Sequence, residues 1–310
     1  MKRFGLVLLL TPAPACAHAP ALAHAPALAH APAFAHEDIG NSLWTFDPWI
    51  TVPLLLSAAL YATGALRLRR RGVTGRRTRF WRGLAYTAGW CSLAAALVSP
   101  LHWFGEQLFT AHMIEHEVVM TIAAPLLVLA RPGGVLLWAF RTNTRREVGR
   151  LARGSSARRC WEVLTRPLTA TVLHGMAIWT WHVPLLFDAA VADIVVHRLQ
   201  HLTFFATAIL FWWAMLWRSN PAVAAGEIFI TMIHTGILGA LMTFAPHVLY
   251  GTQSINAEYW GLTPLEDQQL AGLVMWIPVG TIYAGAAIGL LGRWVKRSGK
   301  SWKVADALAP

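Results

Sequence analysis

A chain of 310 residues that is 56% hydrophobic and only 13% charged, with a mean hydropathy of +0.47, departs far from the roughly 25% charged residues of a soluble domain. It reads as a membrane protein, and the net charge of +11 does not indicate nucleic-acid binding, because the arginines cluster in connectors between apolar runs. Cys16, Cys91 and Cys160 form no CxxC pair, which excludes both a disulfide framework and a thiolate metal site.

In chain order, Lys2 and Arg3, an apolar run over residues 4–10 and then small residues match a secretory signal, and the run is too short to span a bilayer. An Ala-Pro-Ala-Leu-Ala-His hexad follows, which puts His18, His24, His30 and His36 at six-residue spacing and, through its proline, opposes helix. An A-x-A sequence precedes each hexad histidine, so cleavage there would leave an N-terminal His able to chelate Cu(II). Slippage of a repetitive signal region is the simpler reading. Residues 1–36 are therefore set apart as signal and low-complexity segment, 44–294 as the membrane domain and 295–310 as a basic tail.

Seven apolar segments are long enough to cross a bilayer at about 20 residues each: 49–66, 80–98, 108–130, 168–186, 197–217, 228–250 and 270–291. Eight arginines lie between Arg67 and Arg82 and nine between Arg131 and Arg166, while the alternate connectors hold Arg198 as their one basic residue. The positive-inside rule places the two rich connectors and the basic tail in the cytoplasm. The expectation is an all-α, seven-helix bundle of the bacterial plasma membrane, N-terminus outside and C-terminus inside.

This orientation brings most histidines to the outer half of the membrane. His112 and His116 lie about one and two turns below the outer surface on the third span, and His197 and His201 in the first turns of the fifth. His182 and His247 fall at outer helix ends, Asp267 at the outer start of the last span, and His102 in an outer loop. Ionisable groups at membrane depth are costly and normally face a cavity, a partner or a metal. His112, His116 and Met120 form an i, i+4, i+8 stripe with Met113 beside it and Glu115 on the other flank. Paired imidazoles with an added thioether favour Cu(I) over Zn(II). Taken singly, His102 and His247 read as structural, and His234 as a helix–helix hydrogen bond; His174 stays open.

Two other chemistries fit the same residues. "HMIEH" matches the inverted zinc-peptidase pattern H-x-x-E-H, and an intramembrane zinc hydrolase of the seven-helix ceramidase type would use an HxxxH pair with His201 and Asp267. Bis-histidine haem would pair His112 or His116 with His197 or His201 for electron transfer.

The stretches "AHMIEHEVVMTIAAPLLVLARP", "HRLQHLTFFATAILFWW" and "DQQLAGLVMWIP", in that order on a seven-span chain, resemble the caa3-type cytochrome c oxidase assembly factor family. The resemblance covers residues 44–294. It implies a non-enzymatic role in maturing a copper-containing oxidase, through contact with oxidase subunits and a periplasmic copper donor. Carried over by position, it makes His112, Met113 and His116 the leading copper ligands, His201 and Asp267 the next, and Met120 a soft ligand; His197 joins them through its i, i+4 spacing with His201. Glu115 and Glu117 would then hold the ligating histidines in position. Neutral imidazole is the ligating form, so binding should weaken as pH falls through about 6.5.

Overall fold

The computed structural model describes residues 43–71 and 75–307, with side chains as far as residue 299. The expected signal segment and the hexad histidines lie outside the described residues. Among the described residues every regular element is helical, as the sequence predicts.

The helices begin where the sequence supplies a cap and a proline. Asp47 accepts from the backbone N–H of Trp49 and precedes Pro48 in α1 (Pro48–Arg70). Ser99 does the same for Leu101 in α3 (Pro100–Gln107), and Asn220 for Ala222 in α12 (Pro221–Thr243). Proline at the first helical position has φ preset and no N–H to satisfy, so a polar cap followed by Pro is a strong start signal. Thr263 and Glu266 form a reciprocal capping box at the start of α13 (Pro264–Ala307), each bonding the other's backbone N–H.

Among the described residues, five helical stretches are long and apolar enough to cross a membrane: α1, Phe109–Ala130, Ile194–Arg218, α12 and Pro264–Gly299. A sixth is added if α2 (Arg76–Leu97) and α3, bent by 40° at Val98 and Ser99, count as one broken span. The segment expected at 168–186 is divided. Helix α9 (Pro167–Trp181) has 15 residues, about 22 Å at 1.5 Å each, and a break at His182 and Val183 separates it from α10 (Pro184–Ala192). The cause is local: Pro184 lacks an N–H and disfavours a helical Val183. The connector after the third span carries the short α6 (Pro132–Leu137) and two arginine-rich helices, α7 (Thr142–Ala152) and α8 (Ser155–Leu164).

Two of the long stretches are not uniform α-helix. The first runs as α4 (Phe109–Glu117), a π-helical turn (Val118–Ala123) and α5 (Ala124–Ala130). The other, α11 (Ile194–Trp213), ends in a second π-helical turn (Ala214–Arg218). Such turns widen the backbone and concentrate at functional sites. Trp212 donates its indole N–H to the Met120 carbonyl at 2.9 Å, satisfying a backbone acceptor inside the first of them.

The main core joins Met120, Phe204, Phe211, Trp212, Ile228, Met275 and Tyr283, from α11, α12, α13 and the first π turn. Helices α12 and α13 pack most closely. A Cβ on Gly272 would lie 2.6 Å from the Gly239 carbonyl oxygen and 2.6 Å from Thr243 Oγ1. Small residues let membrane helices approach through their backbones, since lipid offers no hydrophobic drive for association. Gly272→Val is therefore expected to destabilise the bundle by about 1–3 kcal/mol, the usual cost of overpacking. Thermal unfolding in detergent should show it, with Gly280→Val, where a Cβ meets nothing within 4 Å, as the silent control.

Candidate functional site

Helix α4 carries "HMIEHE", and its start is fixed by a residue far along the chain. Asp267, fully buried at the head of α13, accepts from the backbone N–H groups of Phe109 at 2.8 Å and Thr110 at 2.9 Å and from Thr110 Oγ1 at 2.7 Å. The first N–H groups of a helix have no intrahelical partner, and a carboxylate there also meets the positive end of the helix dipole. Both Asp267 oxygens are thus engaged as a cap. The structure places this residue at the base of α4, not among the imidazoles.

With α4 held in this way, His112 and His116 face His197 and His201 of α11. His116 Nε2 lies 3.2 Å from His201 Nε2, and His197 Nε2 lies 2.9 Å from the same atom. The His112 ring centre is 4.2 Å from that of His116 and 5.6 Å from that of His197. All four are 7% exposed or less apart from His201, which is partly buried. The two i, i+4 pairs predicted from the sequence therefore meet in one cluster.

A fifth histidine joins them, and sequence reasoning missed it. The 40° bend before α3 turns His102 inward, where its Nδ1 lies 2.8 Å from Glu115 Oε1 and its ring 5.8 Å from that of His197. The available signal was Ser99-Pro100, a helix start only two residues upstream. Glu115 is fully buried, and its Oε1 also lies 3.7 Å from His201 Nδ1. Gly105 makes room for it, since a Cβ there would come within 2.9 Å of Glu115 Oε2. A carboxylate against imidazole nitrogen fixes tautomer and ring orientation, the role expected of Glu115.

The other expected residues are elsewhere. Met113, about 100° around the helix from His112, packs with Phe109, Phe187, Met242, Tyr250 and Ala271. Met120 lies in the main core. Glu117 is buried on the far side of α4, near Tyr283 of α13. His182 caps its own helix, with Nδ1 2.7 Å from the Ile178 carbonyl oxygen, and its own carbonyl accepts from Tyr250 Oη at 2.6 Å. Tyr250 lies in the loop after α12, where burial and the nearby Asp188 push its phenol up to about 12, so it remains a donor. His174 and His234 sit deeper, bonded to Thr207 and Trp179 respectively.

Chemically, the cluster offers nitrogen donors without assigned tasks. Among buried atoms, His112 Nε2, His116 Nδ1 and Glu115 Oε2 have no hydrogen-bond partner, and a buried polar atom left unpaired costs about 1–3 kcal/mol. Two nitrogens bound tetrahedrally to one ion at 2.0–2.1 Å would stand about 3.3 Å apart, close to the His116–His201 separation. The nitrogens touch instead of surrounding a gap, so among the described residues no three His, Cys, Asp or Glu side chains form a ready-made metal cage. With Met113 and Met120 packed elsewhere, the donors are imidazoles alone, a set that suits borderline ions such as copper and zinc.

Comparison with known proteins identifies relatives and a family. Uncharacterized proteins of Mycobacterium bovis and Mycobacterium tuberculosis are each 27% identical over 273 residues, 83% of this chain, and one of Mycobacterium leprae is 24% identical over 277. The chain spans only 40% of the length of these relatives. No solved structure matches it. The family model for the cytochrome c oxidase caa3 assembly factor matches residues 59–297, a range that holds both histidine-bearing helices, and the chain accordingly belongs to the cytochrome c oxidase caa3 assembly factor family.

Proposed function

We propose that this assembly factor holds a copper ion transiently on the outward-facing imidazoles of His112, His116, His197 and His201 and passes it to a subunit of the oxidase. The carrying observation is the convergence of two i, i+4 histidine pairs, with partnerless nitrogens, beneath the buried Glu115–His102 contact. Transfer needs exchangeable, low-coordinate ligation, and a contracted cluster without a preformed cage suits release better than storage. A periplasmic copper donor would load it from outside.

In this reading the short α9 and the broken α2–α3 pair complete seven spans. The arginine-rich connectors and the basic tail then share the cytoplasmic side, against anionic lipid. Glu115 acts on its neighbouring histidines through Oε1, which lies 2.8 Å from His102 Nδ1. Membership of the assembly factor family favours an assembly role over zinc hydrolysis.

A strain lacking the protein, grown at limiting copper, is expected to make oxidase with several-fold less copper and correspondingly less activity, both restored by excess copper. Oxidase with full copper content in that strain would overturn copper delivery and leave only a scaffolding role.

A further inference from the structure

A lateral groove of about 730 Å³ runs beside the histidine cluster. Its walls are α1, α2, α5 and α11, through residues such as Ile50, Leu54, Trp90, Leu127, Leu202 and Phe205, and they are almost wholly apolar. At its outer end it reaches His102, His197, His201, Asp47 and Arg198, and at its inner end Pro132 and Trp213. From these features we infer that the groove binds a membrane quinone or quinol, with the isoprenoid tail along the helices and the ring against the imidazoles.

Shape comes first. From His197 to Trp213 the groove follows α11 for roughly 24 Å, long enough to take an extended isoprenoid tail lengthwise. Helix α1 is also strapped across both ends. Outside, Arg198 Nε and its terminal nitrogen each lie 2.9 Å from Asp47 Oδ2. Inside, Arg67 donates to the carbonyl oxygens of Trp138, Ala139 and Phe140 at 2.7–3.3 Å. A single slender chain can slip sideways beneath these straps, whereas a partner's spanning helix cannot.

Charge then selects the head. The two formal charges at the outer end, Arg198 and Asp47, already neutralise each other, so a phosphate would find no cation without breaking that pair. What remains is imidazole surface, with the His102 and His201 side chains 8% and 12% exposed, beside the rings of Trp49 and Trp90. Neutral imidazole both donates and accepts hydrogen bonds, and flat rings stack, which matches a planar head carrying carbonyl or hydroxyl oxygens.

The test uses metal-free, detergent-purified full-length protein returned to phosphatidylcholine nanodiscs and titrated with a decyl-tailed ubiquinone. Saturable binding to one equivalent is expected. Leu202→Trp or Ile50→Trp, which fill the groove from opposite walls, should weaken it at least tenfold. Leu241→Trp, on the exposed face of α12, should not. Linear partitioning without saturation, equal binding by the groove-filling variants, or one equivalent of phospholipid that the quinone fails to displace would each overturn the proposal. Because no copper is present, failure here leaves the copper reading standing, and loss of copper binding with quinone binding intact does the reverse.

Discussion

Purified protein carrying both His112→Ala and His116→Ala is expected to bind Cu(I) at least 100-fold more weakly than the unmodified chain. The two residues supply half of the cluster, and His116 makes its closest contact between helices, 3.2 Å to His201. A hundredfold loss corresponds to about 2.8 kcal/mol, modest for removing two of four donors. Competition against a Cu(I) chelator measures it, with circular dichroism to confirm that the helices persist. His102→Ala should cost less, tenfold or so, since it acts through Glu115. An affinity unchanged in the double variant would remove the site assignment. Acidification should weaken binding by wild type, because protonated imidazole cannot ligate.

Replacement of Asp267 is expected to have the largest effect on stability. Asp267→Ala leaves the buried Phe109 N–H, the part-buried Thr110 N–H and the Thr110 hydroxyl without their acceptor. Loss of a cap costs about 0.5–2 kcal/mol and each buried unpaired donor about 1–3 kcal/mol, so a destabilisation of about 3 kcal/mol is expected. Asp267→Asn retains one acceptor oxygen and should recover roughly half. Thermal unfolding in detergent distinguishes the two. If the alanine variant unfolds like wild type, the cap does not anchor α4. Copper affinity should fall along with stability, because α4 presents both of its histidines from the turn that Asp267 holds.

Much of this was legible in the sequence. Helical character and most of the spans follow from apolar run lengths, which are local properties. The i, i+4 pairs on α4 and α11 meet as their spacing predicts, because helical phase is reliable over a single turn. It is less reliable over two: Met120 was extrapolated at i+8 across what proves to be a π turn, and it lies in the core instead. Met113 fails for a simpler reason, since a residue adjacent in sequence points about 100° away. Asp267 is expected among the metal ligands but caps α4 instead; its partners lie 157 and 158 residues away, and no local pattern announces such a cap. His102 was judged alone, and only the bend before α3 makes it a neighbour of Glu115. The division of the fourth expected span was readable from Pro184, which hydropathy counts alone overrode.

The π turn at Val118–Ala123 has a further consequence for the span that contains it. One additional residue in a helix shifts everything beyond it by about 100°, so the parts of this crossing before and after the turn stand in different rotational phase. The part before it, α4, can be oriented by the demands of its imidazoles while the part after it, α5, is oriented by packing against α2 and α11. Neither orientation dictates the other, and the span works as two short rods joined by a swivel of fixed angle.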